Sequence, residues 1–363
     1  MASTFGKALK ITLFGESHGN AVGAVADGFP AGEKIDEKIL RDFTARRRPG
    51  QPGTTPRKER DDFEILSGVA DGRTTGAPLA VVIRNENMHS ADYEILKRIP
   101  RPGHADLAAL LRYGECADRR GGGHFSGRLT APLVVVGGIA RQILARRGIL
   151  IGAHLASVGC AGDKAFDSVE LDGKTLLAPG KKIFPVCDAK AAAKMRAVIA
   201  SAQKAGDSVG GVVECAALGF PEGVGSPLFD RVECRLAEAL FGLPAVRGVE
   251  FGNGFASARS KGSENNDAFC FDGKKICTKT NRHGGILGGI SSGMPIVFRV
   301  AFKPTPSIGM TQKSVDLEKG VETELAVKGR HDPCVAVRAV PAVEAAASCV
   351  LLDLLLSETK PEF

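Results

Sequence analysis

Strand-like and helix-like segments follow one another along this chain without regular alternation, and that order restricts the fold more than any other feature. KALKITLFG, PLAVVIRN, VGGVVECAALGF and MPIVFRVAF are rich in β-branched residues and read as strands. DEKILRDFTARR opens with Asp36 as an N-cap, and DAKAAAKMRAVIASAQKAG runs from Asp188 to a stop at Gly206. PAVEAAASCVLLDLLLSE reads as a helix with Pro341 in its first turn. A doubly wound parallel sheet needs strand and helix in strict succession, so an α+β fold is expected. No short repeat, low-complexity linker or compositional break divides the 363 residues, so a single large domain over 1–363 is expected.

Glycine is abundant, 45 residues, which implies many tight turns and close backbone approaches. The formal charge of +7 is clustered, in TARRRPG, LKRIPRPGH and ADRRGGG. Such clusters suit an anionic ligand, either a small polyanion or nucleic acid. With two tyrosines and no tryptophan, stacking platforms for single strands are scarce. Nine scattered cysteines without a CxxC form neither a disulfide framework nor a zinc site, so reduced thiols in a cytoplasmic protein are expected. The N-terminus has no signal-peptide core and no stretch reads as ~18 consecutive apolar residues, so no membrane span is expected.

Five of the seven histidines fall in glycine- or proline-punctuated loops: His18 in GESHGN, His104 in RPGHAD, His124 in GGGHFS, His283 in NRHGGI and His331 in GRHDPC. A single one reads as a surface or capping residue; five together point to a shared cleft. None has HxH, HxxxH or carboxylate spacing, so no metal is expected. A Walker loop and a GxGxxG are both missing, which leaves nucleotide chemistry without support. The cleft is therefore read as an acid–base site for an anion, with a non-catalytic RNA- or phosphate-binding protein as the alternative.

The strings FGESHG, RRRPGQ, ILSGV, TTGAPL, RPGHAD, RGGG, GVEFGNGF, GGILGGISSG, KPTPS and GRHDPCVAVRAVP stand in this order between about Phe5 and Leu355. In that order they resemble the chorismate synthase family. The resemblance implies a β-α-β sandwich that is typically a homotetramer. It implies a 1,4-anti elimination of phosphate from 5-enolpyruvylshikimate 3-phosphate, giving chorismate in the last step of the shikimate pathway. Reduced FMN is the implied cofactor, with NADPH or a separate flavin reductase as the source of its electrons.

Residue by residue, the resemblance assigns His18 to protonation of the leaving phosphate and His104 to the flavin near N1. Asp332 is assigned to proton traffic near flavin N5, together with Ser17 and Ser126. Arg46, Arg47, Arg48 and Arg338 are expected to face the substrate's carboxylate and phosphate groups. FMN contacts are expected from His124, Phe125, Ser126, Ala245, Gly288, Lys303, Pro304, Thr305, Pro306, Ser307 and Arg330. Three departures from the family pattern stand out: His124 and Phe125 stand where an arginine and a serine are familiar, Gly53 lies where an anion-binding arginine is common, and Pro244 replaces an expected asparagine.

Overall fold

The sandwich in the computed structural model, which describes residues 3–51, 53–55, 60–86, 95–273, 275–327 and 331–358, is built from two antiparallel five-stranded sheets. The first runs Thr4–Phe5, Lys10–Gly15, Ala21–Asp27, Leu79–Arg84, Phe63–Ser67 across its width. The second runs Val246–Phe251, Ile296–Phe302, Gly211–Leu218, Leu150–Val158, Ala161–Gly162. Between them lie helices Thr130–Arg146, packed on the first sheet, and Ala336–Ser357, packed on the second. The α+β expectation holds, and the four strand segments read from sequence are all strands.

The interlayer is where the stabilisation concentrates. One continuous apolar cluster runs from Ile11 on the first sheet through Val136, Ile139 and Leu351 on the two helices to Phe298 on the second sheet. Burying side chains of this size contributes about 1.5–3 kcal/mol each. The two helices touch closely because Gly137 has no side chain: a Cβ there would lie 2.4 Å from Ala345 Cβ.

Local signals hold at two helix starts. Asp36 accepts the Ile39 N–H at 3.0 Å ahead of Glu37–Ala45, and Asp188 accepts the Lys190 N–H at 3.0 Å ahead of Ala189–Lys204. One other expectation fails. The last helix starts at Ala336, so Pro341 is interior, and the bond its N–H would give to Val337 is lost. Burial of almost the whole helix outweighs that loss. Two helices, Gly127–Arg146 and Ala336–Ser357, are also long and apolar enough to cross a membrane, but most of each is buried in the centre of the fold. Their apolarity is the signature of core helices packed on both sides.

The central helix also carries buried charge. Asp353 accepts backbone N–H groups of Lys7 (3.0 Å), Ala8 (2.7 Å) and Leu9 (2.8 Å) and pairs with Arg235, tying the start of the chain to the core. All nine cysteines are free.

Candidate active site

Loops from distant parts of the chain meet at a cavity of about 430 Å³. The turn after Lys10–Gly15 brings Ser17 and His18, and the turns before Thr130–Arg146 bring Gly121, Gly122, Phe125, Ser126 and Arg128. Gly103 and His104 precede the helix Asp106–Tyr113, Lys303, Thr305, Pro306 and Ser307 follow the strand Ile296–Phe302, His331 and Asp332 precede the helix Ala336–Ser357, and Arg338 stands in its first turn. A volume of this size fits a small molecule.

His18 is 7% exposed, and its Nδ1 stands 3.2 Å from Ser17 Oγ. Ser17 Oγ in turn accepts the Gly122 N–H at 3.2 Å, and the Ser17 N–H reaches the Gly123 carbonyl at 3.1 Å. Gly121, at φ +63°, is required here: a Cβ would lie 2.3 Å from the His18 ring. The glycines therefore bring backbone against the histidine, a role that differs from a nucleotide loop.

Also lining the cavity, His104 has its Nδ1 2.6 Å from Asp106 Oδ1. Asp106 is buried and paired with Arg101 through Nε (2.7 Å) and Nη2 (2.7 Å). Burial raises its pKa, but hydrogen bonds from Arg101 and His104 overcome that and hold the carboxyl well below its usual range.

The third group is cationic. Arg47 donates to Thr130 Oγ1 (2.9 Å), the Gly127 carbonyl (2.8 Å) and Asp61 (2.7 Å), and Arg128 reaches the other Asp61 oxygen at 2.7 Å. Burial pushes the Asp61 pKa up, but Arg47, Arg128 and Arg338 together leave it lowered. Two guanidinium groups thus share one carboxylate and retain net positive charge beside the cavity. Arg338 donates to Asp332 Oδ2 at 2.7 Å, while Asp332 Oδ1 accepts the Thr55 N–H at 2.8 Å. Lys303 donates to the Gly103 carbonyl, and burial, then Arg247, lowers its pKa. Among the described lining residues five cationic side chains face a single carboxylate, Asp332.

Ser17, His18, Arg47, His104, Phe125, Ser126, Ala245, Lys303, Thr305, Pro306, Ser307, Asp332 and Arg338 all line the cavity. Arg46 does not: it grips Glu344 with both Nη atoms (2.8 and 2.7 Å) and lines a second cavity of about 600 Å³. None of the described histidines lines that second space. Arg48 pairs with Asp62 at 3.2 Å. His124 contacts Ser3 Oγ (3.1 Å) and the Gly15 carbonyl (3.0 Å), away from the lining. Gly288 turns the hairpin Ile286–Leu287 to Ile290–Ser291, and Pro304 is also off the wall. Arg330 lies outside the described residues. Gly53 faces Ile199 and Phe184, so an arginine placed there would start from an apolar contact.

Arg101, Asp106 and Arg128 were not singled out as site residues by the sequence reading. A spacing of five between Arg101 and Asp106 matches no motif, although RPGHAD contains both. Elsewhere, donor atoms of His154, Asp163 and Cys187 lie within 4.8 Å of one another. There, each His154 ring nitrogen already meets a carboxylate, Asp163 at 3.0 Å and Glu214 at 2.9 Å.

Fold and cavity together define a class: an α+β sandwich enzyme whose acid–base groups stand in a cationic pocket of small-molecule size. Comparison with known proteins narrows this. The model of the chorismate synthase family matches residues 9–356. Chorismate synthases of Methanocella arvoryzae and Korarchaeum cryptofilum are 47% and 45% identical, over 98% and 97% of this chain and 94% and 97% of theirs. A crystal structure of chorismate synthase superposes with a TM-score of 0.76 at 30% identity, covering 99% of this chain and 95% of that one. The chain belongs to the chorismate synthase family.

Proposed function

We propose that the protein binds reduced FMN and converts 5-enolpyruvylshikimate 3-phosphate to chorismate by 1,4-anti elimination of phosphate, the closing step of the shikimate pathway. The observation that supports this best is the meeting of two histidines from distant loops, His18 and His104, in one cavity dominated by guanidinium groups.

The residues fit the cofactor. Thr305 Oγ1 is buried on the cavity wall with no hydrogen-bond partner among the described residues, a donor suited to an acceptor on a bound group. Lys303 stands beside it in sequence as a cation for a phosphate, and Phe125, Leu243, Pro244 and Phe302 supply apolar wall for a flat ring. Lys303, Thr305, Ser307, Ser126 and Ala245 would hold the flavin. When bound, reduced FMN supplies the electron density that assists C–O cleavage and takes up the ring hydrogen.

The chain's own groups do the rest. Arg47, Arg128 and Arg338 balance the charge of a trianionic substrate, a task for which bidentate guanidinium groups are suited. His18, with Ser17 at its Nδ1, delivers a proton to the departing phosphate oxygen, because an imidazole titrates near working pH and can reload. Asp332, held by Arg338 and the Thr55 N–H, serves as a proton acceptor. NADPH or a separate reductase as electron source, a homotetramer and a cytoplasmic location complete the proposal.

A direct test is the absorption change when FMN is titrated into the protein under dithionite. Thr305→Val and Lys303→Ala should weaken binding by about 10-fold or more, the loss of a hydrogen bond to a charged group being worth ~1.5–3 kcal/mol. Wild-type protein that leaves the flavin spectrum unchanged would rule the proposal out.

A further inference from the structure

His104 meets two candidate partners at one nitrogen. Its Nδ1 is 2.6 Å from Asp106 Oδ1 and 3.1 Å from Arg101 Nη2. A guanidinium only donates, so Nδ1 either accepts from Arg101 or gives its own proton to Asp106. Donor counting decides between them. Arg101 Nη2 has two hydrogens, and two oxygens lie closer than the imidazole: Asp106 Oδ1 at 2.7 Å and the Gly121 carbonyl at 2.6 Å. With both hydrogens committed there, an unprotonated Nδ1 would set its lone pair against the carboxylate. The proton therefore sits on Nδ1.

Asp106 is built for that proton. Oδ2 accepts from Arg101 Nε (2.7 Å) and from the Arg101 backbone N–H (3.0 Å), and Oδ1 accepts from Arg101 Nη2 and His104. The remaining guanidinium nitrogen, Nη1, donates to Ser307 Oγ at 3.0 Å. One buried ion pair thus holds a cavity histidine, a residue of the KPTPS run and the carbonyl of Gly121, the glycine that abuts His18. We infer that Asp106, fixed by Arg101, is the positioning residue of His104: it takes the Nδ1 proton and leaves Nε2 as the nitrogen offered to the cavity. The arrangement uses the logic by which a buried aspartate sets the tautomer of a catalytic histidine. The inference rests on the proposed reaction only for its kinetic test.

The first experiment needs no turnover. In protein labelled with ¹⁵N-histidine, with the His104 signals assigned through their loss in His104→Gln, the neutral ring should show a protonated Nδ1 and an unprotonated Nε2. Asp106→Asn should move the ring toward the Nε2–H form. A wild-type ring protonated at Nε2 would overturn the inference, and that spectrum decides it even where Asp106→Asn does not fold. The second experiment measures phosphate release with reduced FMN. Asp106→Asn should lower kcat by roughly 10²- to 10⁴-fold with KM little changed. In a His104→Ala background the same substitution should change kcat by less than about 2-fold, as expected for groups acting as a unit. Equal losses in both backgrounds would make Asp106 structural and end the inference. Wild-type protein that releases no phosphate would instead remove the reaction, with the tautomer result standing.

Discussion

His18 Nδ1 meets Ser17 Oγ at 3.2 Å and the ring abuts the backbone of Gly121, so it has little room to turn. If it is the leaving-group acid, His18→Ala should keep FMN binding within about 2-fold and lose roughly 10²- to 10⁴-fold in phosphate release, the usual worth of a positioned acid. Unchanged turnover would take the acid role from it. A second histidine, His154, is fully buried, and Glu214 is its register partner on the neighbouring strand. Burial alone lowers its pKa, but hydrogen bonds with Asp163, Cys187 and Glu214 push it up to about 11. Because the folded value lies above the unfolded ~6.5, this contribution to stability is complete below about pH 6.5 and fades as pH rises toward 11. Asp163, held down to about 2 by the same interaction against burial, loses its share only in acid, below about pH 4. The melting temperature should therefore fall more steeply between pH 7 and 10 in wild type than in His154→Gln. Parallel slopes would contradict the imidazolium assignment.

At the scale of elements, the decisive contact is the crossing of the two buried helices. Gly137 abuts Ala345 with no room for a side chain, and Gly138 likewise faces Leu40 and Phe43. Gly137→Leu should cost about 1–3 kcal/mol or more through overpacking, read as a lower urea midpoint with an unchanged m-value. A midpoint equal to wild type would mean that the helices do not meet there. This crossing also shows why the sequence reading missed Thr130–Arg146. TAPLVVVGGIARQILAR combines a valine run with paired glycines, both poor helix formers, and its helicity comes from being packed between a sheet and another helix. The capped helices at Asp36 and Asp188 were legible because their signals are local. Pro341 misled for the same reason: its local preference was overridden by burial at both ends of the helix.

For the molecule as a whole, loop histidines were a readable sign of a shared cavity, and His18, His104 and His331 do share one. His124 and His283 do not line it, because loop position says nothing about which way a ring turns. Arginine orientation was equally hidden. Adjacent residues at the end of one helix send Arg46 to Glu344 and Arg47 to Asp61, a separation set by partners far apart in the chain. Arg101 and Asp106 were invisible for the opposite reason, since their function lies in donor geometry rather than in a motif. The anaerobic release of phosphate from 5-enolpyruvylshikimate 3-phosphate, followed with and without FMN reduced by dithionite, bears most directly on the whole account. Stoichiometric phosphate and chorismate formed only when reduced FMN is present is the predicted result. Phosphate release that proceeds equally without the flavin, or fails in its presence, would contradict it.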